Sequence, residues 1–201
     1  MKIIKTGVIL GLILLAFLSL YFGSYRTFAK ARRYISAVVE SRAADTTEEF
    51  REAFDKVLNY RAPVNRVEVV KFLGSDILST ISREGQPEEV SRELVEYVEE
   101  HISDNEILHL LTIGNAYLAL WRRYERPEYF VKAEGYYKEI HKRAPKLPQP
   151  IYNLLVLYRA TGNEAGVSQM AEKIVRYWPQ DTRLKRLPET SETEEAEEKT
   201  E

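Results

Sequence analysis

The sequence predicts an all-α protein, with one apolar amino-terminal span followed by antiparallel pairs of amphipathic helices. Three observations carry that prediction. No charged residue occurs between Lys5 and Arg26, an interval of 20 residues from Thr6 to Tyr25. Beyond residue 45, apolar residues recur three and four apart and never alternate, so helices are expected and sheets are not. Pro145 and Pro179 stand 34 residues apart, with similar residues at matching distances before each.

The span comes first. Twenty helical residues, at about 1.5 Å each, reach across a hydrocarbon core of roughly 30 Å. Tyr21 and Tyr25 lie at its far end, where amphipathic rings favour the interface. Ala29-Lys30-Ala31 spells a small-x-small cleavage site, but the apolar run is long for a signal peptide, and Arg26 and Lys30 separate it from that site. An uncleaved anchor over 1–25 is therefore expected. Lys2 and Lys5 balance the cations that follow, so the charge rule does not set orientation. The short leading tail is the arrangement of an anchor that exports its carboxy-terminal part, so the domain is expected outside the cytoplasm. Residues 26–44, with Arg26, Lys30, Arg32 and Arg33, read as a basic helical stalk suited to anionic headgroups.

Residues 45–187 read as seven helices with legible ends. Asp45-Thr46-Thr47-Glu48 is expected to form a capping box, and Phe50, Ala53, Phe54, Val57 and Leu58 to form the buried stripe behind it. Pro63 ends this helix. Asn65 and Glu68 are expected to cap the second, which carries Val67, Val70, Ile77, Leu78 and Ile81 and stops at Gly85. Pro87 opens the third, with Val90, Leu94, Tyr97, Val98 and His101 on one stripe. Ser103 with Glu106 is expected to start the fourth, carrying Leu110, Leu111, Ile113, Gly114, Tyr117, Leu118 and Trp121. The fifth begins near Pro127 and buries Phe130, Ala133, Tyr137 and Ile140. The sixth presents Ile151, Leu154, Leu155 and Tyr158 and ends at Gly162. The seventh uses Val167, Met170, Ala171, Ile174 and Trp178. Residues 188–201, rich in Glu, Thr and Ser with seven glutamates and one lysine, are expected to be disordered.

Counting back from each proline, Ala133 matches Val167, Tyr137 matches Ala171, and Ile140 matches Ile174. On the helix before, Leu110, Ile113, Gly114 and Tyr117 answer Ile151, Leu154, Leu155 and Tyr158. This pattern resembles the tetratricopeptide repeat, a 34-residue helix-turn-helix unit. The clearest repeats are 107–147 and 148–181. The first carries about seven extra residues between Trp121 and Tyr129, while Leu155 and Ala171 depart from the Gly and aromatic of the pattern. The resemblance implies an α-solenoid whose first helices line a groove for a protein or peptide partner. The groove positions would be Leu111, Asn115 and Leu118 in one repeat, and Tyr152, Asn153, Val156 and Arg159 in the next. Leu111 and Tyr152 occupy places where a carboxylate-clamping family would have lysine, which argues against that clamp. Small residues Gly114, Ala133 and Ala171 are expected where helices cross closely.

The order of span, basic segment and Phe50–Leu58, Asn59-Tyr60, Pro63 before repeats is similar to the carboxy-terminal part of O-antigen-ligase-like membrane proteins. That likeness implies an accessory subunit of a cell-envelope glycan ligase or polymerase, without the many spans that hold the chemistry. A self-associating membrane scaffold is the third possibility.

Composition narrows the chemistry. The 201 residues are 44% hydrophobic and 30% charged, enough for a globular core. Cysteine is absent, which removes disulfides, thiolate metal sites and a cysteine nucleophile. The net charge of −2 divides into −6 from Glu189 onward and +4 before it, with no basic stripe of the kind nucleic acid requires. His101, His109 and His141 share no ligand spacing, and no phosphate-binding glycine loop or G-x-S-x-G elbow occurs. No cofactor, metal or enzymatic activity is expected. Most tyrosines (Tyr117, Tyr137, Tyr158) fall on packing positions. Tyr124, Tyr129, Tyr136 and Tyr177 do not.

Overall fold

A computed structural model describes residues 2–44, 46–62, 66–83 and 85–181. Their regular structure is helical, and no strand occurs among the described residues. Helix α1 (Lys2–Ser19) runs through a π-helical turn (Leu20–Tyr25) into α2 (Arg26–Arg42) without interruption. Every residue from Thr6 to Tyr25 is exposed, and this helix is long and apolar enough to cross a membrane. The expected tail at 188–201 lies outside the described residues.

The chain forms two compact units, Met1–Tyr136 and Tyr137–Glu201. In the first, α2 is more than a stalk. Lys30 and Ala37 are buried in it, α2 packs on α3 (Thr47–Leu58), and Tyr34 reaches α4 (Arg66–Ile81). Its amphipathic pattern was masked in the sequence by its positive charge. Helix α4 packs in turn on α5 (Glu88–His101) and on α6 (Ile107–Tyr124), and α3 packs on α5. The opening turns of α7 (Pro127–Arg143) meet α6 through Trp121 and Phe130, whose ring centroids lie 5.7 Å apart. Two layers result: α2, α4 and α6 in one, and α3, α5 and the start of α7 in the other. Helices within a layer run parallel. Tyr34 meets Asp76, and Arg26 meets the Arg61 carbonyl just ahead of α4, which aligns α2 with α4. Thr112 lies over Gly74, and Arg123 donates to the Ile81 carbonyl at 2.6 Å, which aligns α4 with α6.

The helix ends differ from expectation in two places. Thr46, not Asp45, caps α3, its hydroxyl accepting from the Glu49 N–H at 3.2 Å. Glu48 and Glu49 fill the first turn, where the helix dipole favours them. Asp45 and Asn65 lie outside the described residues. Ser103 does not cap α6. That helix starts four residues later, and the Ser103 N–H is taken by the Nδ1 of buried His109 at 2.8 Å, from the first turn itself.

The residues inserted between Trp121 and Tyr129 are absorbed by longer helices: α6 and α7 have 18 and 17 residues, against 13 and 14 in the following pair. Glu125 closes α6 in the left-handed region (φ 55°), its N–H bonded to the Trp121 carbonyl at 2.8 Å. Glycine is the usual residue there because it has no Cβ to clash.

The second unit contains the end of α7, then α8 (Pro148–Ala160) and α9 (Glu164–Tyr177), which pack as a hairpin. Ile151, Leu154, Leu155, Leu157, Met170 and Ile174 form its buried face. Gly162 turns the chain at φ 67°, and the Asn163 side chain caps α9 by accepting from the Gly166 N–H at 2.9 Å.

Candidate partner-binding surface

Two surfaces of the first unit stand out in the fold. One is the outer face of the α2, α4, α6 layer. Inward stripes of these helices are apolar, as they must be to pack. The outward stripes would be polar on an ordinary surface helix. Here they keep Phe28, Ile35 and Val39 on α2, Phe72 on α4 and Leu108 on α6, all exposed. Half-exposed Asn115 lies on the same stripe of α6, two turns beyond Leu108.

The second surface is a cleft of about 630 Å³ where the carboxy ends of α2 and α4 meet the amino ends of α3 and α5. It sits at the end of the unit remote from α1, because α2 carries the chain about 24 Å from Arg26 to Arg42. Its lining mixes apolar Phe50 and Leu94 with Arg42, Thr47, Asp76 and Arg83. Thr47 donates to Glu93 at 2.6 Å, and Asp76 accepts from Tyr34 at 2.5 Å, so these walls are held in place.

The seven groove positions separate. Leu111 and Leu118 are core residues, 9% and 6% exposed, because α6 is flanked by both α4 and α5 and buries more than one stripe. Only Asn115 of that set remains on the surface. Tyr152, Asn153, Val156 and Arg159 share one half-exposed face of α8 in the second unit, opposite the residues packed on α9. Of the small residues expected at close crossings, Gly114 and Ala133 are buried, and two further glycines make close contacts. A Cβ at Gly74 would overlap the Thr112 methyl, and one at Gly166 would come within 2.5 Å of the Tyr158 ring.

Sequence reasoning missed a recurrent device, the tyrosine hydroxyl bonded to a carboxylate on another helix. Tyr34 binds Asp76, Tyr97 binds Asp55 at 2.7 Å, and Tyr129 binds Glu88 at 3.2 Å. Tyr117 and Tyr136 both donate to Glu99 at 2.5 Å, where Lys132 adds a third donor at 2.8 Å. The Tyr117 and Tyr136 rings stack with centroids 6.1 Å apart. Burial works to raise the Glu99 carboxyl, but Lys132 and the two hydroxyls outweigh it and its pKa falls below the ordinary 4.5. The tyrosines move the other way: burial first, then the carboxylate partner, raises Tyr34, Tyr97, Tyr117 and Tyr136, and brings Tyr129 to about 12. All these hydroxyls stay protonated and donating at physiological pH. Tyr124 bridges Ser91 at 2.8 Å and the Gln86 carbonyl at 2.9 Å, and Tyr177 meets the Trp178 ring edge-on. Tyr124, Tyr129 and Tyr136, which have no packing role in the sequence, thus bond across helices in the fold.

The histidines remain apart. His101 Nδ1 lies 2.8 Å from the Tyr97 carbonyl oxygen, and His109 serves the Ser103 N–H. Lys173 Nζ lies 2.7 Å from His141 Nε2, and burial, then that ammonium, lowers the His141 pKa. Among the described residues no three His, Asp or Glu side chains converge as metal ligands. No protein-family model, curated protein or solved structure matches the chain.

Proposed function

We propose that this chain is a membrane-anchored helical scaffold, with α1 spanning the bilayer and a tetratricopeptide-like stack of helix pairs recruiting a protein partner beside it. The observation that carries this reading is the open, mixed cleft at the end of the first unit remote from the span. Apolar Phe50 and Leu94 offer burial to a peptide side chain, and Arg42 and Arg83 offer charged donors to its backbone or carboxylates. The parallel layers support the repeat assignment, since stacked helix pairs place first helices beside first helices. Leu111 and Leu118, both buried, drop out of the contact surface, and Asn115 stays.

The glycan-accessory alternative draws no support from the tyrosines, because Tyr117, Tyr129 and Tyr136 spend their rings and hydroxyls on helix packing. Site-specific photo-crosslinking in native membranes tests the scaffold reading. A crosslinker at Ser79, on the cleft wall, is expected to give one discrete protein adduct that disappears in Arg42→Glu/Arg83→Glu with helicity unchanged. No adduct in the parent chain, or an adduct indifferent to the charge reversal, overturns the cleft as the docking site. An adduct of twice the chain mass identifies a second copy as the partner instead.

A further inference from the structure

We infer that the edge of the first unit nearest α1 docks on the bilayer surface, inserting Phe28, Phe72 and Leu108 among the lipid headgroups. This rests on the proposed reading of α1 as a membrane span. Because α1 continues into α2 as one helix, the height of each residue above the bilayer can be read along it. Arg26 is the first charge beyond the apolar run, so it marks where the chain leaves hydrocarbon.

Phe28 is two residues further on, about 3 Å above Arg26 at 1.5 Å per residue. Tyr34 stands about 12 Å above it and contacts both Asp76 and the Phe72 ring, which sets α4 level with α2 near Gly74 and places Phe72 about 9 Å up. Thr112 lies over Gly74, and Leu108 is one turn before Thr112, so it sits about 6 Å up. Phe28 and Leu108 therefore fall within the headgroup layer, some 5–7 Å deep on each side, and Phe72 starts just above it, within reach of a ring that leans toward the bilayer.

Two further observations point them downward and leave them uncovered. The three helices run parallel and away from the span, and helical side chains lean toward their helix amino terminus, which here is toward the bilayer. The side chains are 62%, 52% and 48% exposed. Cations alone do not account for the edge. Exposed Arg32, Arg33, Arg61 and Lys71 line this edge beside exposed Glu68 and Glu106, so anionic lipid adds to the attraction, while the uncovered apolar side chains act without it.

The test uses the full chain reconstituted in phosphatidylcholine vesicles, exploiting the absence of native cysteine. A fluorophore on Lys71→Cys, beside Phe72, reports the edge; one on Leu14→Cys reports the span; one on Val131→Cys, exposed in the other layer, is the control. Headgroup-spin-labelled lipid is expected to quench the Lys71→Cys probe and not the Val131→Cys probe. That quenching is expected to be lost in Phe72→Ser/Leu108→Ser, whose substitutions are on the surface and leave the fold intact. An unquenched Lys71→Cys probe, or quenching that survives the double substitution, overturns the docking while deep-acyl quenching of the Leu14→Cys probe shows the span intact. If the Leu14→Cys probe escapes acyl-chain quenchers, the span itself fails and the docking falls with it.

Discussion

The two helix pairs that look most alike in sequence, α6 with α7 and α8 with α9, are held by different physics. Up to Tyr136, the first is fastened by polar tips. Tyr117, Tyr136 and Lys132 converge on one carboxylate, Glu99, donated by α5. The second is closed by shape. Gly166 lets α9 settle against the Tyr158 ring at a distance no Cβ permits, over a face of leucine and isoleucine. A shared repeat pattern thus states which faces are buried without stating what holds them.

Each half of that contrast can be broken separately. The largest effect is expected from Gly166→Val, which drives two methyl groups into the Tyr158 ring. Overpacking of this kind costs up to about 3 kcal/mol, read as a lower urea midpoint at unchanged slope. A variant as stable as the parent would show that Tyr158 can swing aside and that close approach does not hold the second pair.

Next is Glu99→Gln. Replacing a partly buried carboxylate that has three donors is expected to cost about 2 kcal/mol at neutral pH. The sign with pH follows from the lowered pKa of Glu99 in the fold. Its contribution is complete above the ordinary carboxylate value and vanishes as pH falls through the lowered one. The stability gap between parent and Glu99→Gln should therefore close in acid. A gap independent of pH would mean that the hydroxyls, rather than the charge, fasten this pair.

The smallest effect runs the other way. Glu125 occupies a left-handed position without being glycine. Glu125→Gly is expected to stabilise by about 0.5–1 kcal/mol through relief of that strain, seen as a small rise in thermal midpoint. A fall would show that the Glu125 side chain supports the turn.

Much of the architecture is legible in the sequence. The apolar run, the prolines at 87 and 127, Gly162, and the three-and-four spacing placed the helices, because each is a local signal carried by neighbours in the chain. The cap of α3 was missed by one residue, since Asp45, Thr46 and Thr47 are all good caps and only the helix register chooses between them. The surface was less legible. Leu111 and Leu118 read as groove residues because one repeat considered alone has a single buried stripe, whereas α6 lies against two helices.

By itself the sequence determined that this chain is helical, where its helices turn, and that one helix is apolar enough to lie in lipid. These follow from the periodicity of α-helices and the cost of burying charge. Only the tertiary structure decided which tyrosine finds which carboxylate, that α2 belongs to the packed unit, and which apolar residues stay outside. The pairs Tyr34–Asp76 and Tyr97–Asp55 lie 42 residues apart. Contacts at that separation leave no mark on local spacing, because they arise only when whole helix faces settle against one another.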